Sequence, residues 1–451
     1  MRSLLGTTAL LATMLAGAMG VRAETLPEAL AYAYANNPNI ASARLSVESS
    51  GEDIAIAKSD ALPNISLGAN YTASFSATDD LFSTSQNFTL GLNYSQTIFD
   101  NHRTDGQVEQ SRAFSELATH ALANAEQNVL LSAVDAYMSV VRDTQLVAIR
   151  QENIAFFRAQ VGSANDRLRL GEGTRTDVSQ AEARLAQAVA AHQAAIASLQ
   201  TSQASYQRWV GRPPQNLSAS FTYQGLLPQS IDEAIETAQA DHPALKSARA
   251  AIRASQAGAD IARSAFGPTL QLIGSVCAVG CFGADGPGGM SGQIGLTLSI
   301  PIYEGGSLGA GQRKANLELI KSEVDALSSY DEVREAIVTA WATVINSEAQ
   351  ISSAQSAVAS GQEFVSGLVE ERDLGLRTTL DVLDAQSDLV TSREALVQAN
   401  ASRVIAQYTL LASVGRLSAT NLGLPVTVED GQAYVQVVED VWQELRAVPA
   451  P

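Results

Sequence analysis

Four stretches of the chain alternate apolar with polar or small residues at a period of two. In the first, Ile65, Leu67, Ala69, Tyr71, Ala73 and Phe75 occupy every second position, and in the next Phe88, Leu90, Leu92 and Tyr94 do so. Leu270 and Leu272 open a third stretch, and Ile294, Leu296, Leu298, Ile300 and Ile302 mark a fourth. This period is that of a strand with one apolar face, so it predicts strands over 64–76, 87–98, 269–279 and 293–303. Such lengths suit tilted membrane strands with one face in lipid. A soluble hairpin packed on helices would give the same local pattern. After each strand pair the period becomes seven: Ala133, Val140, Val147, Ile154, Val161 and Leu168, then Ile337, Val344, Ile351, Val358 and Val365. Sustained heptads predict coiled-coil packing. Ala136, Ala164, Ala340, Ala354 and Gly361, three positions on, are small enough to let helices approach closely. No proline interrupts 101–168, so a helix there would run about 100 Å at ~1.5 Å per residue.

The same succession of elements is written twice. Shifted by 205 positions, Thr25–Arg44 lies over Ser230–Arg249 without a gap, aligning Glu28, Ala29, Pro38, Ser42, Ala43 and Arg44 with Glu233, Ala234, Pro243, Ser247, Ala248 and Arg249. At a shift of 204, LGEGTRTDVSQAEARL from Leu170 overlies LGLRTTLDVLDAQSDL from Leu374, and Val210-Gly211-Arg212 overlies Val414-Gly415-Arg416. A period this long is a duplicated domain, because solenoid repeats are far shorter. The reading is a first repeat over 24–229, a second over 230–416 and a C-terminal extension over 417–451 that wraps the middle of a tube. Four strands per chain leave open sheet edges, which in lipid strand unsatisfied backbone groups. Three chains would supply twelve strands and close them.

Composition narrows the function. The 451 residues are 46 % hydrophobic but only 6 % aromatic, with a net charge of −18, a balance that disfavours nucleic acid as a partner. Met1–Ala23 reads as a cleaved secretory signal, with Arg2 before an apolar run and small residues before the cut. Beyond it no apolar run approaches the length of a helical membrane span. Cys277 and Cys281 lie in a Gly-rich segment, CAVGCFGADGPGG, and either have no role beyond the loop or form a small disulfide; two cysteines without a nearby histidine do not make a zinc site. The connectors over 77–86 and 280–291 are rich in Asp, Ser and Gly and belong outside the cell. Gly305–Gly309, GGSLG, matches a nucleophile elbow. All four histidines, however, precede Ser307, whereas in that fold the triad histidine follows the serine. The glycines are better read as the turn from strand into helix, and no cofactor is implied. The competing class is a periplasmic coiled-coil scaffold without a pore.

These residues resemble the TolC family of outer-membrane efflux proteins. The resemblance rests on the paired LPEAL…NNP and IDEAI…DHP openings, the strand ends QTIFDN and SIPIYEGG, the turn GLRTTLDVLDAQ, and the VGR that closes each half. Its wording is most similar to the branch serving type I secretion and efflux. It implies an α+β membrane protein: a homotrimer with a 12-stranded β-barrel in outer-membrane lipid, continued by a long α-helical coiled-coil tunnel in the periplasm. The implied partners are a periplasmic adaptor and an inner-membrane ABC or RND transporter. It also implies a periplasmic gate. Asp381 and Asp384, three apart on one helix, would form a ring of six carboxylates with raised pKa values. Arg377 matches the constriction arginine, with Thr176 and Asp177 as its partners. Arg372 stands where the family has a tyrosine. The turns at Gly171, Gly375 and Leu376 would meet the adaptor.

Overall fold

A computed structural model describes residues 23–78, 81–219, 227–280 and 289–441. The elements run in order α1 (Leu26–Asn36), α2 (Pro38–Ser59), β1 (Asn64–Thr78), β2 (Leu81–Phe99), α3 (Arg103–Leu170), α4 (Arg175–Val210), α5 (Ile231–Asp241), α6 (Pro243–Ser264), β3 (Thr269–Gly280), β4 (Gly289–Ser299), α7 (Ser307–Asp373), α8 (Thr379–Val414) and α9 (Gln432–Val438). Each half thus carries two helices, two strands, a helix of 67 or 68 residues and a helix of 36. The heptad pattern accounts for the long helices, and no described helix is long and apolar enough to cross a membrane.

The chain divides into two compact units. One comprises Met1–Asn37, Gln127–Ile231 and Ile337–Val426; the other comprises Pro38–Glu126, Asp232–Ala336 and Thr427–Pro451. In the first, the heptad positions Ala133, Val140 and Ile154 of α3 are buried. Ile154, Phe157 and Ala164 pack there with Val178, Ala181 and Ala188 of α4 and with Leu383 of α8. Val365 and Leu368 of α7 form a companion cluster with Val382, Ala385 and Leu389. Small residues set the spacing: a Cβ at Gly361 would lie 3.4 Å from Leu389.

The same unit anchors Glu24, the residue that follows the expected signal. Its carboxylate accepts from the Tyr206 hydroxyl at 2.7 Å and from Arg212 at 2.7 Å, while its carbonyl accepts from Tyr137 at 2.8 Å and from the Ser218 amide at 2.9 Å. Both tyrosines are fully buried, and burial raises both phenol pKa values above the ordinary range.

The second unit holds a four-stranded antiparallel sheet in the order β1-β2-β3-β4. β1 and β4 are its edges. The hairpin β1–β2 pairs up to Thr78↔Leu81, further than the alternation predicts, because Ser- and Thr-rich backbone pairs as well as apolar backbone does. β4 covers Gly289–Ser299 rather than 293–303. Pro301 has no N–H for the ladder, so Ile300 and Ile302 fall in the connection to α7. That connection turns at Gly305 (φ 63) and Gly306 (φ 87) before Ser307 starts α7, so the glycines of GGSLG make the turn from strand into helix.

From the C-terminal extension, α9 packs on α2. Gly51 makes room for it: a Cβ there would meet Val435 and Val438 at 3.1 Å. Glu439 is held by Arg112 at 2.6 Å and Lys58 at 3.1 Å, and Arg112 above all lowers its pKa. Most of the signal segment, Asp79, Cys281 and Asp285 lie outside the described residues.

Candidate functional site

The two turns that end α3 and α7 are built by the same local chemistry 204 residues apart. Each helix closes in a left-handed glycine, Gly171 (φ 81) or Gly375 (φ 76). The Gly171 amide donates to Leu168 and the Glu172 amide to Arg167; in the second copy Gly375 donates to Arg372 and Leu376 to Glu371, at 2.8–3.2 Å. This is the paired closure that glycine at a helix C-terminus permits. The next helix then starts on a capping box. Thr174 and Asp177 exchange hydrogen bonds at the start of α4, with Asp177 accepting from the Thr174 amide at 2.9 Å. Thr378 and Asp381 repeat this at 3.0 Å at the start of α8. Each box satisfies amide donors that a helix N-terminus leaves open. Leu374 and Leu376 remain exposed at the second turn.

Within one chain, each of the gate candidates has a local setting of its own. Asp381 caps α8, and hydrogen bonds from the Thr378 amide and then its hydroxyl lower its pKa in the single chain. Asp384, three residues on, is an ion-pair partner of Arg184 on α4. Arg377 turns to Glu371 at 2.9 Å, whose carboxylate raises the guanidinium pKa, and not to Thr176 or Asp177 of its own chain. Thr176 is exposed in the first turn of α4, and Asp177 serves the Thr174 cap.

Arg372 is the residue whose setting the sequence least suggested. It is only 5 % exposed, donates from one guanidinium nitrogen to Gln160 of α3, and pairs with Asp373 at 2.7 Å. Gln160 is buried as well. About two turns earlier on α3, Asn153 accepts from Gln386 of α8 at 3.2 Å, both buried. Buried polar contacts therefore tie α3 to α7 and to α8 near the turns. Arg150–Glu394 and Arg393–Glu152 add ion pairs between α3 and α8.

The sheet sorts its residues by face, since directly opposed residues of an antiparallel pair share one. Leu67↔Leu92, Ala69↔Leu90 and Tyr71↔Phe88, continued by Leu92↔Val276, Leu272↔Leu296 and Ala278↔Met290, make an apolar face across all four strands. Asn70↔Thr89, Ser66↔Asn93 and Thr72↔Asn87, continued by Asn93↔Ser275, Ser275↔Gln293 and Gln271↔Thr297, make a polar one. On α7 an exposed stripe of Leu317, Ile320, Val324 and Leu327 repeats at three and four residues, the spacing of one helix face.

An apolar outer face, a polar inner face, open sheet edges and duplicated helical hairpins define the protomer of an outer-membrane export channel. The chain belongs to the outer membrane efflux protein family, whose model matches residues 29–212 and 234–416. It is 37 % identical over 424 residues to the outer membrane efflux protein BepC of Brucella suis biovar 1 (strain 1330), covering 94 % of this chain and 92 % of that one. It is 23 % identical over 415 residues to the outer membrane protein TolC of Escherichia coli (strain K12), covering 89 % and 84 %. The fold matches the crystal structure of the Campylobacter jejuni CmeC outer membrane channel with a TM-score of 0.78 at 16 % identity, over 92 % of this chain and 89 % of that one.

Proposed function

We propose that three copies of this chain form the outer-membrane conduit of an efflux or type I secretion assembly and pass cargo outward without transforming it. The observation that carries this reading is the two-faced sheet with both edges open. An edge in lipid leaves backbone groups unpaired at several kcal/mol each, and pairing β4 of one copy with β1 of the next removes every edge in a twelve-stranded ring. The exposed α7 stripe supports the same assembly, because Leu45 and Ile56 on α2 are likewise exposed and apolar and would meet it from the next copy.

The buried Arg372–Gln160 link and the Asp384–Arg184 pair hold the helical hairpins in a closed arrangement at the periplasmic entrance. Opening exchanges these contacts. Arg377, exposed at the turn, and Asp381, half-buried beside it, would face neighbouring copies. Gly171, Gly375 and Leu376 present the surface for a periplasmic adaptor: Leu376 is 72 % exposed, an apolar side chain that a partner would cover. The C-terminal extension braces the middle of the tube through α9. An inner-membrane ABC or RND transporter supplies the energy. Purified protein in mild detergent is expected to run as a trimer and to form pores in planar bilayers; a monomer without conductance refutes the reading.

A further inference from the structure

Although 17 % of the chain is charged, no Asp, Glu, Lys or Arg occurs in β1, β2, β3 or β4, strands of 15, 19, 12 and 11 residues. On the apolar face the reason is plain, since Arg or Lys against hydrocarbon costs about 2–4 kcal/mol at the midplane. That reason does not extend to the opposite face. Resting on the trimeric barrel, this face borders water, where a charged side chain pays no such penalty, and substitutions there tune selectivity. It carries carboxamides instead: Asn70, Asn87, Asn93, Gln271 and Gln293, interleaved with serines, threonines, glycines and the uncharged Ile273 and Cys277.

We infer that the strand-built section is a charge-neutral outlet whose carboxamide and hydroxyl lining takes no part in selecting cargo by charge. Carboxamides and hydroxyls both donate and accept hydrogen bonds, so the wall stays wetted and presents no fixed potential of either sign. A ring of like charges would concentrate one sign of ion and repel the other. The acidic excess of the chain, 47 Asp and Glu against 29 Lys and Arg, lies wholly outside the strands. Discrimination by charge is therefore confined to helices, turns and connectors, and extended chains bearing both signs leave through a wall that neither holds nor rejects them.

Reversal potentials of the full-length protein in planar bilayers under a KCl gradient test this. Asn70→Ser, Asn93→Ser and Gln293→Ser together should leave the potassium-to-chloride permeability ratio within about two-fold of the parent. If the triple variant does not assemble, its three single variants are measured in its place. Cys277 shares the polar face, opposite Gly91 and Ser291, and offers an independent arm in a Cys281→Ser background. A methanethiosulfonate reagent forms a mixed disulfide with the thiol, releasing methanesulfinate and the thiol proton. A cationic reagent should move the reversal potential toward anions, and an anionic one toward cations. A neutral variant that changes the ratio by more than about two-fold means the carboxamides discriminate ions and overturns the inference. Reagents without effect mean that this face does not line the pore, and overturn it too. A parent that does not conduct sinks the channel reading instead.

Discussion

Arg372→Ala is the sharpest probe of the closed arrangement. The substitution removes a buried, charge-assisted hydrogen bond, which contributes about 1.5–3 kcal/mol. It also leaves the Gln160 carboxamide, itself 8 % exposed, without its Arg372 donor, a loss of about 1–3 kcal/mol that overlaps the first. Taking about 2 kcal/mol per chain as the part lost when α7 separates from α3, the balance between closed and open shifts roughly thirty-fold toward open. Single-channel recording should show a higher open probability and larger conductance, with the trimer otherwise intact. Arg372→Lys keeps the charge but loses the planar fork and should recover only part of the closure. If Arg372→Ala conducts like the parent with the same open probability, the Gln160 link does not restrain the entrance.

Three further outcomes are expected. Ile320→Asp with Val324→Asp places carboxylates in the unpartnered α7 stripe and should abolish the trimer on size-exclusion chromatography in detergent; retention of the trimer would remove that stripe from the interface. Asp381→Asn with Asp384→Asn should reduce cation selectivity and block by multivalent cations, read from reversal potentials, whereas unchanged selectivity would place the constriction elsewhere. The phenols of Tyr137 and Tyr206 ionise near pH 10 in an unfolded chain but higher in the folded one, so above pH 10 the folded state holds more protons. Stability measured by thermal melting should be level below that pH and fall as pH rises above it, and less steeply in Tyr206→Phe; a melting temperature unchanged to about pH 11.5 would contradict the buried setting.

What could be read from the sequence was what repeats locally. Period two gave the strand faces, period seven gave the long helices, and the shift of 204 gave two turns of matching design, because each depends on residues within a few positions of one another. The partners across the fold carry no such period. Glu24 meets Tyr206 across 182 positions and Arg372 meets Gln160 across 212, and nothing in either neighbourhood announces the other. An arginine is ordinarily a surface residue, so its burial at 372 ran against the prior. Asp381 illustrates the opposite case: Thr378 three residues before it is a capping signature, and the structure forms that cap. The end of β4 was legible in Pro301, which the apolar alternation of Ile300 and Ile302 outweighed.

The open edges of the sheet also set the tempo of biogenesis. β1 and β4 contain neither proline nor lysine, the residues by which edge strands usually ward off stray pairing. A newly exported chain therefore carries two adhesive borders until its sisters arrive, and encounters between chains grow rarer faster than supply when synthesis slows. Completion of the ring is a race between correct pairing and aggregation, in which crowding of nascent copies at the membrane, or a holdase that masks the borders, decides the yield.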